Sequence, residues 1–426
     1  MGQTICEKII AKAAGCEKVT PGEYVILKDF VGPIAYSFRG VNLPAGIQYQ
    51  LSMIGVKELA RPERIIHNCD HNTPPQSIED VLLIKSVREK SAQMGIKKVY
   101  TREGIGHVVN VEKGEIVPGV AFVHIDPQGS NAGGIGAFYT NGGRLGSTPL
   151  EAFATGEITI CVPGTIKIEI NGKLSPFISS RDVWFKVLNE IGPDGAFGMV
   201  LEFSGSTIDE MSVEQRMVLC GNTAFAGSDG AIIRSDAVTQ KWYKENFGIE
   251  VEQIQSDPDA VYTKVFKFAA EEIESMVTYP PEIYTCKPVR EFSNIKINQC
   301  ILGTCAGGHL DDLRTAAQIL KGKKIHPDVR FIVSPVTQRV YVQAANEGLL
   351  SILTEAGAQV IASTCDVCLG VIGPLAPGEV GLSQQTLNSP GRSGSPQADI
   401  YLASAATIAA SAIAGYITVP QAVPTL

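Results

Sequence analysis

Residues 295–302, IKINQCIL, alternate apolar and polar side chains and read as a β-strand. A glycine-rich turn follows, and then a helix with Leu310, Leu313, Ala317 and Leu320 on one face, closed by Gly322. VRFIV at 329–333 is a second strand and leads into a helix over TQRVYVQAANEG, 337–348. AQVIA at 358–362 is a third strand and ends just before STCDVCLG, 363–370. Strand, helix, strand, helix, strand predicts a parallel sheet with right-handed crossovers. Ligands bind outside the carboxyl ends of such strands. Cys305 follows the first strand, and Cys365 and Cys368 follow the third, so the three thiols are placed to converge there.

The same spacing admits other chemistry. Cys365 and Cys368 alone could be a disulfide, a redox pair, half a zinc site or part of an iron–sulfur cluster. Redox pairs of the thioredoxin type open a helix early in a small domain, whereas this pair lies late in a long chain. A structural zinc ion takes four ligands, and no second Cys-x-x-Cys stands in the sequence. Three thiolates without an evident fourth suit a [4Fe–4S] cluster that leaves one iron open as a Lewis acid. Buried structural cysteines are the commoner account of such spacing.

At 426 residues the chain is too long for one simple core, so two or three domains are expected. The hydrophobic content of 44%, with 43 glycines and 24 prolines, fits a turn-rich α/β protein. A net charge of −8 argues against nucleic acid or an anionic membrane as partner. The first residues lack the apolar core of a signal peptide, and YLASAATIAASAIAGYI at 401–417 reads as a buried small-residue helix, not a membrane span. A cytoplasmic protein is expected, and its ten cysteines are not expected to form a disulfide framework. Cys16, Cys161, Cys220 and Cys300 read as buried small hydrophobes. TIKIEINGKLSPF, 165–177, reads as a hairpin turning at Asn171-Gly172 and marks a new domain near residue 164. The Pro-rich TYPPEIYTCKP at 278–288 is a second joint. The expected domains are 1–163, 164–284 and 285–426, each α/β.

The stretches LGTCAGGHLDDLRTAAQILKGKK (302–324), ASTCDVCLG (362–370) and LAPGE (375–379) resemble the large subunit of 3-isopropylmalate dehydratase and its aconitase-superfamily relatives. Ordered matches cover nearly the whole chain: GQTICEKIIAKAAG, DHNTP, GIGHV, FATGEITICVPGTIKIEINGKL, SSRDVWFKVLNEIGPDGA and PGRSG. The resemblance implies three α/β/α domains around a [4Fe–4S] cluster held by Cys305, Cys365 and Cys368. It implies dehydration and rehydration of a small hydroxy carboxylic acid. Asp70 and His71 would protonate or orient the leaving hydroxyl, His107 with Asp126 would hold a water beside the open iron, and Arg392 would anchor a carboxylate. The swivelling fourth domain of the family is not in this chain, which implies a small partner subunit.

The chain also departs from that pattern. Gln128 stands where the family has a histidine, Phe225 where that histidine's glutamate partner falls, and Leu387 where a substrate-binding arginine belongs. Gly307 replaces an asparagine beside the first cysteine. Losing a guanidinium removes a bidentate carboxylate clamp. The expectation is therefore a hydro-lyase remodelled for a substrate other than isopropylmalate, with Gln128 among its substrate contacts. The alternative is a catalytically silent paralogue with a binding, sensing or scaffold role.

Overall fold

The computed structural model describes residues 2–37, 41–141 and 148–420. The last six residues of the closing stretch TVPQAVPTL, and part of the 126–146 segment, lie outside them. Two compact units make up the chain: residues 1–169 with 195–267, and residues 170–194 with 268–426.

The first unit holds a five-stranded sheet in the order Lys98–Tyr100, Ile66–Asn68, Val31–Tyr36, Ala121–His124, Phe138–Asn141. Every neighbouring pair in it is parallel. The helix Ile78–Gln93 leads into the edge strand Lys98–Tyr100. A second sheet sets Gly230–Ile233, Met199–Ser204 and Gly164–Asn171 in parallel, with Lys264–Ala269 at its edge. The N-terminal helix Ile5–Ala14 is fixed at both ends. Thr4 and Glu7 form a capping box, and Gly15 closes it at φ 74°. Its Ile5, Ile9 and Ile10 pack with Leu27, Phe30, Val123 and Ile158 in the core of this unit.

The second unit is built on a seven-stranded sheet in the order Cys286–Pro288, Met276–Thr278, Asp399–Ala403, Val380–Ser383, Gln299–Leu302, Arg330–Val333, Gln359–Val360. The last five run parallel; the three within 295–362 do so as the sequence predicts. The helix Leu310–Leu320 buries Leu310, Leu313, Ala317 and Leu320, the stripe read from the sequence, together with Ala316 and Ile319. Truncating such a buried leucine to alanine costs about 2–5 kcal/mol.

Several expectations need correction. Residues 165–177 form no hairpin. The strand Gly164–Asn171 pairs in parallel with Met199–Ser204, and Gly172 at φ 103° ends it ahead of the helix Ser180–Ile191. The Asn-Gly signal is local, and a strand end satisfies it as well as a hairpin turn does. Cys16 and Cys161 are exposed, while Cys220 and Cys300 are buried. Cys16 lies past the helix cap, and Cys161 faces outward on a strand whose burial alternates. All ten cysteines are free. The predicted terminal helix divides into the strand Asp399–Ala403 and the buried helix Ala405–Ala414. Among the described residues no helix is long and apolar enough to cross a membrane. The division at 163 and 284 is kept as a proposal: the four-stranded sheet falls within 164–284, and the seven-stranded sheet begins at Met276.

Candidate active site

In the second unit, the strands Gln299–Leu302, Gln359–Val360 and Val380–Ser383 are parallel and end on the same edge of the sheet. Cys305 follows the first, Cys365 and Cys368 follow the second, and Thr386 and Arg392 follow the third. All three cysteines are buried. Cys368 sits in the single turn Asp366–Leu369, which ends at Gly370 with φ 65°. A Cβ at Gly370 would lie 2.5 Å from the Ser393 carbonyl carbon, so only glycine lets the two loops approach.

Arg392 Nη2 donates to Cys368 Sγ at 3.2 Å, and Thr386 Oγ1 lies 3.5 Å from the same sulfur. A hydrogen bond from Cys365 holds the Cys368 thiol well below its ordinary range. Burial opposes this, and the Arg392 charge and hydrogen bond reinforce it. A buried thiolate with a guanidinium on its sulfur is the form a metal cluster binds. Among the described residues no three His, Cys, Asp or Glu side chains gather closely enough for a single metal ion. Three buried thiols are the donor chemistry of an iron–sulfur cluster with one open iron.

Two residues that sequence reasoning missed build this edge. Arg181 is fully buried, and its guanidinium donates to the carbonyls of Ala306 (3.1 Å), Gln384 (2.8 Å) and Gln385 (2.7 Å). Burial lowers its pKa to about 10, against the pull of Asp312 and Asp182. It ties the Cys305 loop to the loop that follows Val380–Ser383. Gln384 donates to Asp312 Oδ1 at 2.8 Å, and its side chain fills the space beside Gly307. A Cβ at 307 would lie 2.8 Å from Gln384 Cβ and closer still to its amide, so glycine at 307 and glutamine at 384 belong together. Leu387 is half-buried and offers Gln385 its carbonyl, 2.6 Å from Nε2.

In the first unit the carboxyl edge of the five-stranded sheet gathers imidazoles and carboxylates. Asp70 Oδ1 lies 2.7 Å from His71 Nδ1, and Gly106 N–H donates to Asp70 Oδ2 at 2.8 Å. Burial pushes the Asp70 carboxyl up, but His71, His107 and the Gly106 N–H outweigh it and hold it below the usual range. His107 Nε2 lies 3.7 Å from Asp126 Oδ1, and Asp126 caps the short helix Pro127–Ile135 by accepting from Gln128 N–H at 2.9 Å. Gln128 and Phe225 are both half-buried. Three further side chains stand here without having been read from the sequence: Tyr36, His67 and His124. Tyr36 and His124 end parallel strands, the position where ligand-facing groups collect, and that is the signal that could have found them.

An α/β protein whose parallel sheets carry ionisable and thiol side chains at their carboxyl edges is the class defined so far. Comparison with known proteins makes it specific. The model of the aconitase family (aconitate hydratase) matches residues 50–291 and 281–415. A probable 3-isopropylmalate dehydratase large subunit of Methanothermobacter thermautotrophicus is 37% identical, over 99% of this chain and 99% of that protein. The corresponding large subunits of Moorella thermoacetica (38%, over 99% and 100%) and Hydrogenobaculum (39%, over 99% and 99%) are similarly close. Among solved structures, holo aconitase X of Thermococcus kodakaraensis aligns at 15% identity with a TM-score of 0.46, covering 91% of this chain and 89% of that one. The chain belongs to the aconitase family, as a divergent member.

Proposed function

We propose that this chain is the large subunit of an iron–sulfur hydro-lyase acting on a small hydroxy carboxylic acid other than isopropylmalate. The observation that carries the reading is the Arg392 guanidinium 3.2 Å from the buried Cys368 sulfur, at the sheet edge that also bears Cys305 and Cys365. Cys305, Cys365 and Cys368 would hold the cluster. When bound, a [4Fe–4S] cluster with one iron free of protein ligands supplies a Lewis acid toward hydroxyl and carboxylate oxygens.

The remaining roles fall to side chains. Asp70 accepts the Nδ1 hydrogen of His71, which fixes the tautomer and stabilises the imidazolium, so His71 can deliver a proton from Nε2 to a leaving hydroxyl. Asp126 faces His107 Nε2, and the two orient water. Arg392 supplies the cation for a substrate carboxylate. Gln128 contributes an uncharged amide where a titrating imidazole is expected, and Leu387 leaves the carboxylate clamp one guanidinium short. The missing guanidinium favours a substrate that presents less negative charge to Leu387. The relatives are named large subunits, and a small partner subunit is part of the proposal.

Anaerobic reconstitution with iron and sulfide should load about four irons per chain and give broad thiolate-to-iron absorbance. Cys365→Ser should lower both severalfold. An unchanged spectrum and iron content in that variant would sink the cluster assignment.

A further inference from the structure

His124 and Tyr36 form a chain of buried polar groups that ends on His107. The backbone N–H of Asp126 lies 2.9 Å from His124 Nδ1. That N–H can only donate, so Nδ1 accepts, and the hydrogen of His124 is on Nε2. Nε2 lies 3.0 Å from Tyr36 Oη, so the imidazole donates to the phenol oxygen. Tyr36 Oη in turn lies 3.2 Å from His107 Nδ1. The His107 and His124 rings stand 5.0 Å apart, each about 5 Å from the Tyr36 ring. All three side chains are buried, so bulk water does not compete for these bonds. Burial first, and His107 second, hold the His124 pKa well below the ordinary range, which keeps that ring neutral.

We propose that Tyr36 and His124 are positioning residues that set the tautomer of His107, placing its hydrogen on Nε2, toward Asp126. With His107 neutral, the Tyr36 hydroxyl donates to Nδ1. Nε2–H then faces the carboxylate 3.7 Å away. The opposite tautomer would turn a bare Nε2 toward an anionic oxygen, leaving two acceptors face to face. When His107 takes up a proton, its Nδ1–H donates to the phenol oxygen, which has lone pairs for both imidazoles. The Tyr36 oxygen thus stays bonded to both imidazoles in either protonation state of His107. A neutral glutamine occupies 128, and the second imidazole of this loop stands instead at 124, two residues before Asp126. The inference rests on the catalytic reading of His107 given above, but the geometry concerns the first unit alone.

The chain has six histidines, few enough for selective labelling. Full-length protein labelled with 15N-histidine is examined by long-range 1H–15N spectroscopy, and the two signals are assigned by their loss in His107→Gln and His124→Gln. His124 should show the neutral Nε2–H pattern, and the neutral form of His107 should carry its hydrogen on Nε2. In Tyr36→Phe, which removes one oxygen from the cluster, the Nδ1 and Nε2 shifts of His107 should move toward each other as the tautomers mix. The half-exposed His326 serves as internal control. A His107 signal with its hydrogen on Nδ1, or one unchanged in Tyr36→Phe, overturns the relay and leaves the cluster reading standing. Protein that takes up no iron yet shows the expected His107 pattern and its response to Tyr36→Phe overturns the cluster reading and leaves the relay.

Discussion

His67 shows how far burial can move one group. The ring is fully buried, Nε2 meets Ser37 Oγ at 2.9 Å, and Nδ1 has no hydrogen-bond partner among the described residues. Desolvation drives its pKa down to about 4, and Asp70 only partly offsets that. Above pH 6.5 the ring is neutral in folded and unfolded chains alike, and stability is unaffected. As the pH falls from 6.5 toward 4, the unfolded chain takes up the proton and the folded chain resists, so stability is lost across that window, by about 3 kcal/mol at its end. His67→Gln keeps a partner for Ser37 and cannot titrate. Urea unfolding midpoints recorded between pH 4 and 7 should fall less steeply for this variant than for the parent. Buried, neutral His124 contributes in the same direction, so some slope should remain. Parallel curves for the two proteins would show that another group dominates the acid limb.

At the scale of elements, the short helix Pro127–Ile135 depends on the absence of side chains at Gly133 and Gly134. A Cβ at 134 would lie 2.5 Å from both the Arg216 carbonyl carbon and the Met217 nitrogen, within the helix Val213–Gly221. A Cβ at 133 would strike the Ala231 carbonyl. These neighbours are backbone atoms and cannot rotate aside, so Gly134→Ala should exceed ordinary overpacking and cost about 3 kcal/mol. Because Asp126 caps this helix, the variant should also disturb the Asp126–His107 approach. Thermal unfolding checks the first effect and the His107 imidazole signal the second. A fully stable Gly134→Ala protein would mean the two elements do not pack as described. The parallel core of 299–360 was legible because alternation and a helical stripe are local signals. The thiol trio was legible because a topological rule converts strand ends into a shared edge. The Tyr36–His124–His107 chain was not, because it depends on pairing Val31–Tyr36 with Ala121–His124, segments far apart in the chain. Gln384 likewise gains meaning only from Gly307, through a contact that no spacing rule anticipates.

For the whole molecule, the proposed roles fall on residues of both compact units. Three cysteines follow strands at the carboxyl edge of one parallel sheet, and histidine–carboxylate pairs stand at that of another. Dehydration also needs a base for the proton α to a carboxylate. His71 is paired with Asp70 through Nδ1 and is arranged to give a proton. His124 is buried and neutral, and Arg392 is bound to a sulfur. We propose that the base comes from a second chain, a reading supported by relatives named as large subunits. Cluster-loaded protein alone should therefore turn over hydroxy acids at least 100-fold more slowly than the same protein mixed with a small-subunit chain, since general base catalysis is worth about 10²–10⁴-fold. Dehydration of a panel of small hydroxy mono- and dicarboxylates, followed by alkene absorbance, measures the difference. Equal rates with and without the second chain would place the base on this chain after all. Iron-loaded protein inactive in both arms would favour a binding or sensing role for the same fold.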